Sequence, residues 1–226
     1  MKATVIMAFI CCFGLIRAPH LLAAEPEFVY AYIEFPPLSW TENGRPRGII
    51  IDKVRQVFKK ARIRAEFTSF PLRRVYHYLE SGKVHISTAS PQVISIKDHI
   101  IWDDKPLYRV NLIVTHLAQT PGVTSPNGLR GKRIAAVGLY DYIGVTEFIR
   151  DPANRVGAVS TDDFQGGILL LKSRRVDYVL SYEEMAKGSS KGLRHSVLKS
   201  VPLNFVVSKK TPGAAAVLKR LKSATP

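Results

Sequence analysis

Hydrophobic positions in this chain switch period repeatedly, from apolar runs and two-residue alternation to helical spacing and back. Residues 28–35 form an apolar and aromatic run of buried-strand length, stopped by Pro36 and Pro37, which lack backbone donors and fix φ. Residues 39–47, with the pair Asn43-Gly44, read as a turn-rich loop. Val54, Val57, Phe58 and Ala61 then recur at helical spacing, with Asp52 placed to cap a helix running to about Arg62. Residues 64–70 alternate as a second strand. Pro71 suits the first turn of a helix over 72–80, Ser81-Gly82 ends it, and 84–89 is a third strand. Strands and helices alternating at these lengths imply right-handed crossovers and a mainly parallel sheet.

The stretch from His85 to Thr115 organises the rest of the chain. A short strand leads to a polar loop at 87–92, then a surface excursion, then a β-branched strand that includes 111–115. Beyond a polar stretch at 118–128 the alternation starts again. Strands are expected at 133–137, 156–160, 176–181 and 203–208, and helices at 143–149, 162–173, 183–187 and 214–222. The fold class is therefore α/β in two blocks, joined near 112–117 and again near 201–207.

The first 24 residues change the picture of where the chain works. Lys2, an apolar run from Ala3 to Ile16 and the small residues Ala23 and Ala24 have the layout of a cleavable signal peptide, so export to a periplasm is expected. Both cysteines, Cys11 and Cys12, lie inside this leader. The remaining chain thus has no disulfide, thiolate metal site or cysteine nucleophile. Lys2 and Arg17 are the leader's only charged residues, so most of the net charge of +15 stays with the exported part. Its basic residues are scattered rather than interleaved with aromatics on one helix, which argues for a solvated basic surface and against nucleic acid. No HExxH, G-x-S-x-G, phosphate-loop or dinucleotide pattern is present, the histidines lack ligand spacing, and neither a cofactor nor a metal is expected.

Several motifs in order carry a family resemblance. They are FPPLSW at 35–40, Gly48 with Asp52, PLRRVYHYLESG at 71–82, KPLYRVNLIV at 105–114, LRGKRIAAVGLYDY at 129–142 and LKSRRVDYVL at 171–180. Together they resemble the type II extracytoplasmic solute-binding proteins, in the branch associated with polar amino-acid uptake. The resemblance implies a two-lobed periplasmic-binding-protein fold with two hinge crossings. Each lobe would be a mixed, mainly parallel sheet flanked by helices, with residues 25–112 and 206–226 in the first lobe and 113–205 in the second. It further implies a monomer that captures a small polar or anionic solute between the lobes and delivers it to an inner-membrane ABC-type permease.

Candidate binding residues are placed by this arrangement. Phe35 and Trp40 are positioned to form an aromatic wall. Ser87, Ala89 and Ser90 follow a strand end, where hydroxyls and free amides can meet a polar group. Gly138, Tyr140 and Tyr142 occupy the corresponding turn of the second lobe, and Tyr182 and Glu183 follow its later strand. Arg74 opens a helix next to the expected cleft. Amino-acid binders of this family carry an arginine soon after the first loop, to fork onto the α-carboxylate. This chain has Val93, Ile94, Ser95 and Ile96 there, with Lys97 the nearest cation, and a lysine does not reproduce that fork. Two other readings compete with transport: a sensing or envelope-associated module, and a dehydratase-like enzyme drawing on Glu34, Glu183 and Arg74.

Overall fold

The computed structural model describes residues 28–91, 95–137, 142–188 and 192–226. The expected leader and the candidates Gly138 and Tyr140 lie outside these residues.

Strand β1 (Phe28–Tyr32) stops three residues before the predicted end. The chain then turns through the cis Pro36–Pro37 peptide into a small hairpin, β2 (Trp40–Glu42) and β3 (Arg45–Arg47). Asn43 and Gly44 take left-handed φ of 50° and 71°, as a tight hairpin turn demands, so the expected loop is a hairpin built around the pair that marked it. Helix α1 (Ile49–Ala61) is capped by Gly48 rather than Asp52. Asp52 sits in the first turn, where its amide donates to the Gly48 carbonyl and its carboxylate pairs with Arg55 at 3.6 Å. An acid in the first turn complements the helix dipole without capping, which is why the sequence signal resembles a cap.

Strand β4 (Ala65–Ser69) leads into helix α2 (Leu72–Ser81), which ends at Gly82 in the left-handed conformation that cap requires. Strand β5 (Ile86–Ala89) is followed by the short β6 (Ile100–Trp102) and the long β7 (Tyr108–Leu117). The second block runs β8 (Arg133–Val137), α3 (Val145–Arg150), β9 (Gly157–Thr161), α4 (Phe164–Lys172), β10 (Tyr178–Tyr182) and α5 (Glu183–Ala186). The chain returns through the sixteen-residue β11 (Leu193–Ser208) to α6 (Ala214–Ala224).

The strands form one curled sheet in the order β4-β1-β5-β11-β7-β10-β8-β9, with β6 also on β11. At one end β1 pairs in parallel with β4 and β5, and at the other β8 pairs in parallel with β9 and β10. Between these ends β11 and β7 run antiparallel from Leu193↔Leu117 to Leu203↔Tyr108. The C-terminal part of β11 then pairs with β5, from Asn204↔Ala89 to Val207↔Ile86. The upper part of β7 pairs with β10, from Leu112↔Tyr182 to Thr115↔Val179. Two parallel α/β units are thus joined by a pair of antiparallel strands that belong to both.

Each unit has its own packing. Helix α1 lays Ile51, Val54, Val57 and Phe58 against Tyr30, Phe205 and Val207, with Val217 and Leu221 of α6 beside them. Helix α2 covers the opposite face of that unit with Val75 and Leu79 against Ala31 and Val206. In the second unit, α4 packs Phe164, Ile168 and Leu171 on Ala135, Val179 and Ile113. Helix and strand approach closely there, since a Cβ at Gly167 would lie 2.8 Å from Val179 Cγ1.

Just before β5 stands a histidine whose protonation matters to the sheet. His85 Nδ1 accepts the Val29 amide at 2.9 Å, which requires an unprotonated Nδ1, and partial burial lowers its pKa. With the folded value below the unfolded one of about 6.5, the unfolded chain takes up the proton more readily. Stability is therefore expected to fall as pH drops from about 7 toward about 5. His85→Gln, whose amide oxygen accepts the same N–H without titrating, is expected to flatten that decline in thermal unfolding measured across the interval.

Candidate functional site

A cavity of about 170 Å³ opens where the two units face each other across the crossing strands. Its first wall comes from the C-terminal end of β5 and the loop beyond it: Ser87, Thr88, Ala89 and Ser90. Helix α2 contributes Leu72, Val75, Tyr76 and Leu79 to the same side. The loop after β1 adds Ile33, Phe35 and Ser39, and the crossing strands provide a floor of Val110, Val201 and Leu203. From the second unit come Ile143 and Tyr182. The site forms at strand ends because side chains and free backbone groups converge there without breaking the ladder.

Three aromatic rings tie the units together beside this cavity, two of them on its lining. Phe35 meets Tyr182 edge to face, with ring centroids 4.8 Å apart and planes at 84°. Tyr182 in turn stacks on Tyr142 at 5.7 Å and 25°. The Tyr142 hydroxyl accepts the Val137 amide at 2.7 Å and donates to the Val137 carbonyl at 3.0 Å, which locks this ring into the second unit. Phe35 is fixed from its own side: its amide donates to the Ser39 carbonyl at 2.6 Å, and the Ser39 amide donates back to its carbonyl at 3.0 Å. Edge-to-face and offset rings contribute about 0.5–1.5 kcal/mol each beyond their buried area, so this column favours the facing of the two units.

Most hydroxyls around the cavity are already engaged by the fold. Ser87 donates to the Ala31 carbonyl at 2.9 Å, Ser39 to the Ile33 carbonyl at 2.7 Å, and Thr88 bonds with the Tyr30 hydroxyl at 3.0 Å. Ser90 differs: it is 3% exposed and its Oγ has no hydrogen-bond partner. A buried hydroxyl left unpaired costs about 1–3 kcal/mol, so its place on a cavity wall is informative. Desolvation alone pushes the half-buried Tyr76 hydroxyl above the usual phenol range, with no hydrogen bond contributing.

The charged candidates lie elsewhere. Arg74 is exposed in the first turn of α2 and Lys97 is exposed at the start of a 3-10 turn, and neither lines the cavity. Trp40 is half-buried in the β2–β3 hairpin, outside the lining. Exposed Glu183 accepts from the Asn111 side chain at 2.7 Å, so it braces α5 against β7. Beside it, buried Glu184 accepts from the Tyr108 hydroxyl at 2.5 Å, a second tie between these elements. Glu34 accepts from the Thr41 hydroxyl at 2.7 Å and the Thr41 amide at 2.9 Å. Burial pushes its carboxyl up, but hydrogen bonds from Ser69 and Thr41 outweigh that and hold it below its ordinary value.

The structure therefore brings together Phe35, Ser87, Ala89, Ser90 and Tyr182 on the cavity, with Tyr142 behind Tyr182. It also adds residues that the sequence pattern does not single out. That pattern marks Tyr76 only as part of a helix, Val201 only as connector and Leu203 only as the start of a strand. Ile143 is expected to open a helix, yet α3 starts two residues later, and Ile143 takes a left-handed φ of 55° before Gly144 at 80°. Its carbonyl accepts Lys199 Nζ from β11 at 2.7 Å. A β-branched residue in that conformation costs about 1–2 kcal/mol, and strain of this kind collects at ligand-facing positions. Only the following glycine hints at it in the sequence.

Among the described residues, no group of three or more His, Cys, Asp or Glu side chains is arranged to hold a metal, and no helix is long and apolar enough to cross a membrane.

No protein-family model and no curated protein sequence matches the chain. Solved structures do. An ancestral arginine-binding protein bound to arginine is 22% identical, with a TM-score of 0.58 over 86% of this chain and 91% of its own. The GluR0 ligand-binding core in complex with L-glutamate is 17% identical, with a TM-score of 0.63 over 90% and 93%. The substrate-binding protein of an amino acid ABC transporter is also 17% identical, with a TM-score of 0.54 over 86% and 92%. The curled mixed sheet, the paired crossing strands and this likeness across nearly whole chains define a two-lobed periplasmic-binding-protein fold.

Proposed function

We propose that this chain is a type II periplasmic solute-binding protein, which captures a small solute between its lobes and delivers it, as a monomer, to an inner-membrane ABC-type permease. The observation that carries this reading is the cavity at the strand ends, walled by both lobes and floored by the strands that join them. A solute there touches both lobes only when they face each other, so binding energy is converted into closure. Support also comes from the neighbours of the same fold, which are binding proteins, one of them from an ABC transporter. The leader-like first 24 residues support a periplasmic location.

A sensing role uses the same clamp and differs only in the partner that reads the closed form. The dehydratase-like reading has less support, because Glu34 and Glu183 are each engaged by neutral donors of the fold and the exposed Arg74 lies outside the cavity lining. The test is a thermal-shift screen of the purified protein against amino acids, polyamines, organic acids, sugars and small neutral aromatics. A ligand of the folded state at a hundred times its Kd adds about 2.7 kcal/mol of stability, enough to shift the midpoint by several degrees. One solute class is expected to do so. Stabilisation by none of them contradicts the proposal, and turnover of a prephenate-like substrate would then favour the enzyme reading.

A further inference from the structure

The chemistry of the cavity narrows the solute in a direction that the amino-acid-bound neighbours do not suggest. Its described lining contains no Asp, Glu, Lys, Arg or His. The surface is made mostly of Ile, Leu, Val and aromatic side chains, and the hydroxyls of Ser39, Ser87 and Thr88 are engaged within the fold. A free amino acid would bring an ammonium and a carboxylate, and groups of that kind are not buried without partners of opposite charge. The nearby cations Arg74 and Lys97 are exposed and outside the lining.

Size points the same way. The cavity measures about 170 Å³. An apolar protein cavity of roughly 150 Å³ holds one benzene ring, while drug-sized ligands occupy roughly 300–1,000 Å³. Among the described lining residues Ser90 Oγ is the buried polar atom without a partner, while the half-buried Tyr76 hydroxyl also makes no hydrogen bond within the fold. On the same lining, Phe35 and Tyr182 present an aromatic corner.

We infer that the cleft takes a compact, uncharged, chiefly apolar solute of about single-ring size, held by one hydrogen bond to Ser90 and by ring contact with Phe35 and Tyr182. This inference rests on the solute-binding reading and specifies its ligand class. The hydroxyl or carbonyl of such a solute completes Ser90, and its apolar body replaces water against the floor formed by Val110, Val201 and Leu203. A solute without that polar group still fits but leaves Ser90 unpaired.

Calorimetric titration of the purified protein with matched single-ring probes tests it. Benzyl alcohol and p-cresol are the neutral probes, benzoate and benzylamine carry the same ring with a charge, toluene lacks the polar group, and L-arginine and L-glutamate represent amino acids. Benzyl alcohol or p-cresol is expected to bind at least about 100-fold more tightly than either charged ring or either amino acid, since an unpaired buried charge costs several times 1.4 kcal/mol. Ser90→Ala is expected to weaken the neutral alcohol by about tenfold, the size of one hydrogen bond, and to leave toluene unchanged. The toluene titration also reports whether the variant keeps its cavity.

Tighter binding of a charged ring or an amino acid overturns the inference and leaves solute binding standing. Equal losses for alcohol and toluene in Ser90→Ala overturn the role of that hydroxyl. If no probe binds, the inference fails, and the thermal-shift screen decides the wider reading separately: a hit of another class keeps it, and no hit removes both.

Discussion

Gly48→Ala is expected to cost about 3 kcal/mol or more of folding stability, the sum of a strained backbone and an overpacked contact. Gly48 has a φ of 118°, which side-chain-bearing residues rarely adopt. A Cβ there would lie 2.3 Å from the Leu38 carbonyl oxygen and 2.9 Å from Ser39 Cα, both backbone atoms that no rotamer change can move aside. That carbonyl accepts the Ile50 amide at 2.9 Å, so the contact that would clash also anchors the loop to α1. The same loop carries Phe35 and Ser39 to the cavity. Urea unfolding should therefore show a midpoint shift well beyond that of Gly131→Ala, where φ is also positive, at 67°, but the Cβ position has open space, so that only the backbone strain applies. A Gly48→Ala protein as stable as the wild type would mean that the loop is not held as described.

Phe35→Ala is expected to weaken solute binding by about 30-fold or more, the loss typical of truncating an aromatic anchor at about 2 kcal/mol. Phe35 is only half-buried and packs at the margin of the core that α1 covers, so unfolding should remain cooperative. Two contacts disappear at once: the wall of the cavity and the edge-to-face meeting with Tyr182. Because the second joins the lobes, the loss should appear chiefly in the dissociation rate, as closure becomes less favourable. Phe35→Leu fills part of the volume without the ring geometry and should fall between the two proteins. Titration calorimetry with stopped-flow dissociation separates these effects, and an unchanged dissociation rate in Phe35→Ala would place the solute away from this ring.

Where residues keep one period without interruption, the fold is legible in the sequence. The helical spacing of Val54, Val57, Phe58 and Ala61 locates α1, and the apolar runs locate β1, β5 and β8 to within a few residues. Strand β11 is legible only from Leu203 onward. Its buried positions nearer the start are Leu193, Leu198 and Val201, and a bulge between Val197 and Lys199 breaks the two-residue period. Exposed Arg194, Lys199 and Ser200 make the same segment look like a connector. Strand β6 is three residues long and leaves no periodic trace.

The site is legible where a residue type has a single plausible use. Aromatic Phe35 after a strand and the serines at the end of β5 stand out because strand ends expose such groups to ligands. Trp40 carries the same signal but is used by a hairpin, and composition does not separate the two. Ile143 escapes sequence reasoning because nothing marks a β-branched residue that tertiary contacts hold in the left-handed region. Arg74 and Lys97 attract attention by charge alone, and neither is on the cavity wall.

The central claim is that one solute is held by both lobes at once. Hydrogen–deuterium exchange, with and without the most stabilising solute from the thermal-shift screen, tests this most directly. The account predicts slower exchange in residues 33–41 of the first lobe and residues 178–184 of the second, together and with the same dependence on solute concentration. Protection confined to one lobe, or found only away from both segments, would contradict it.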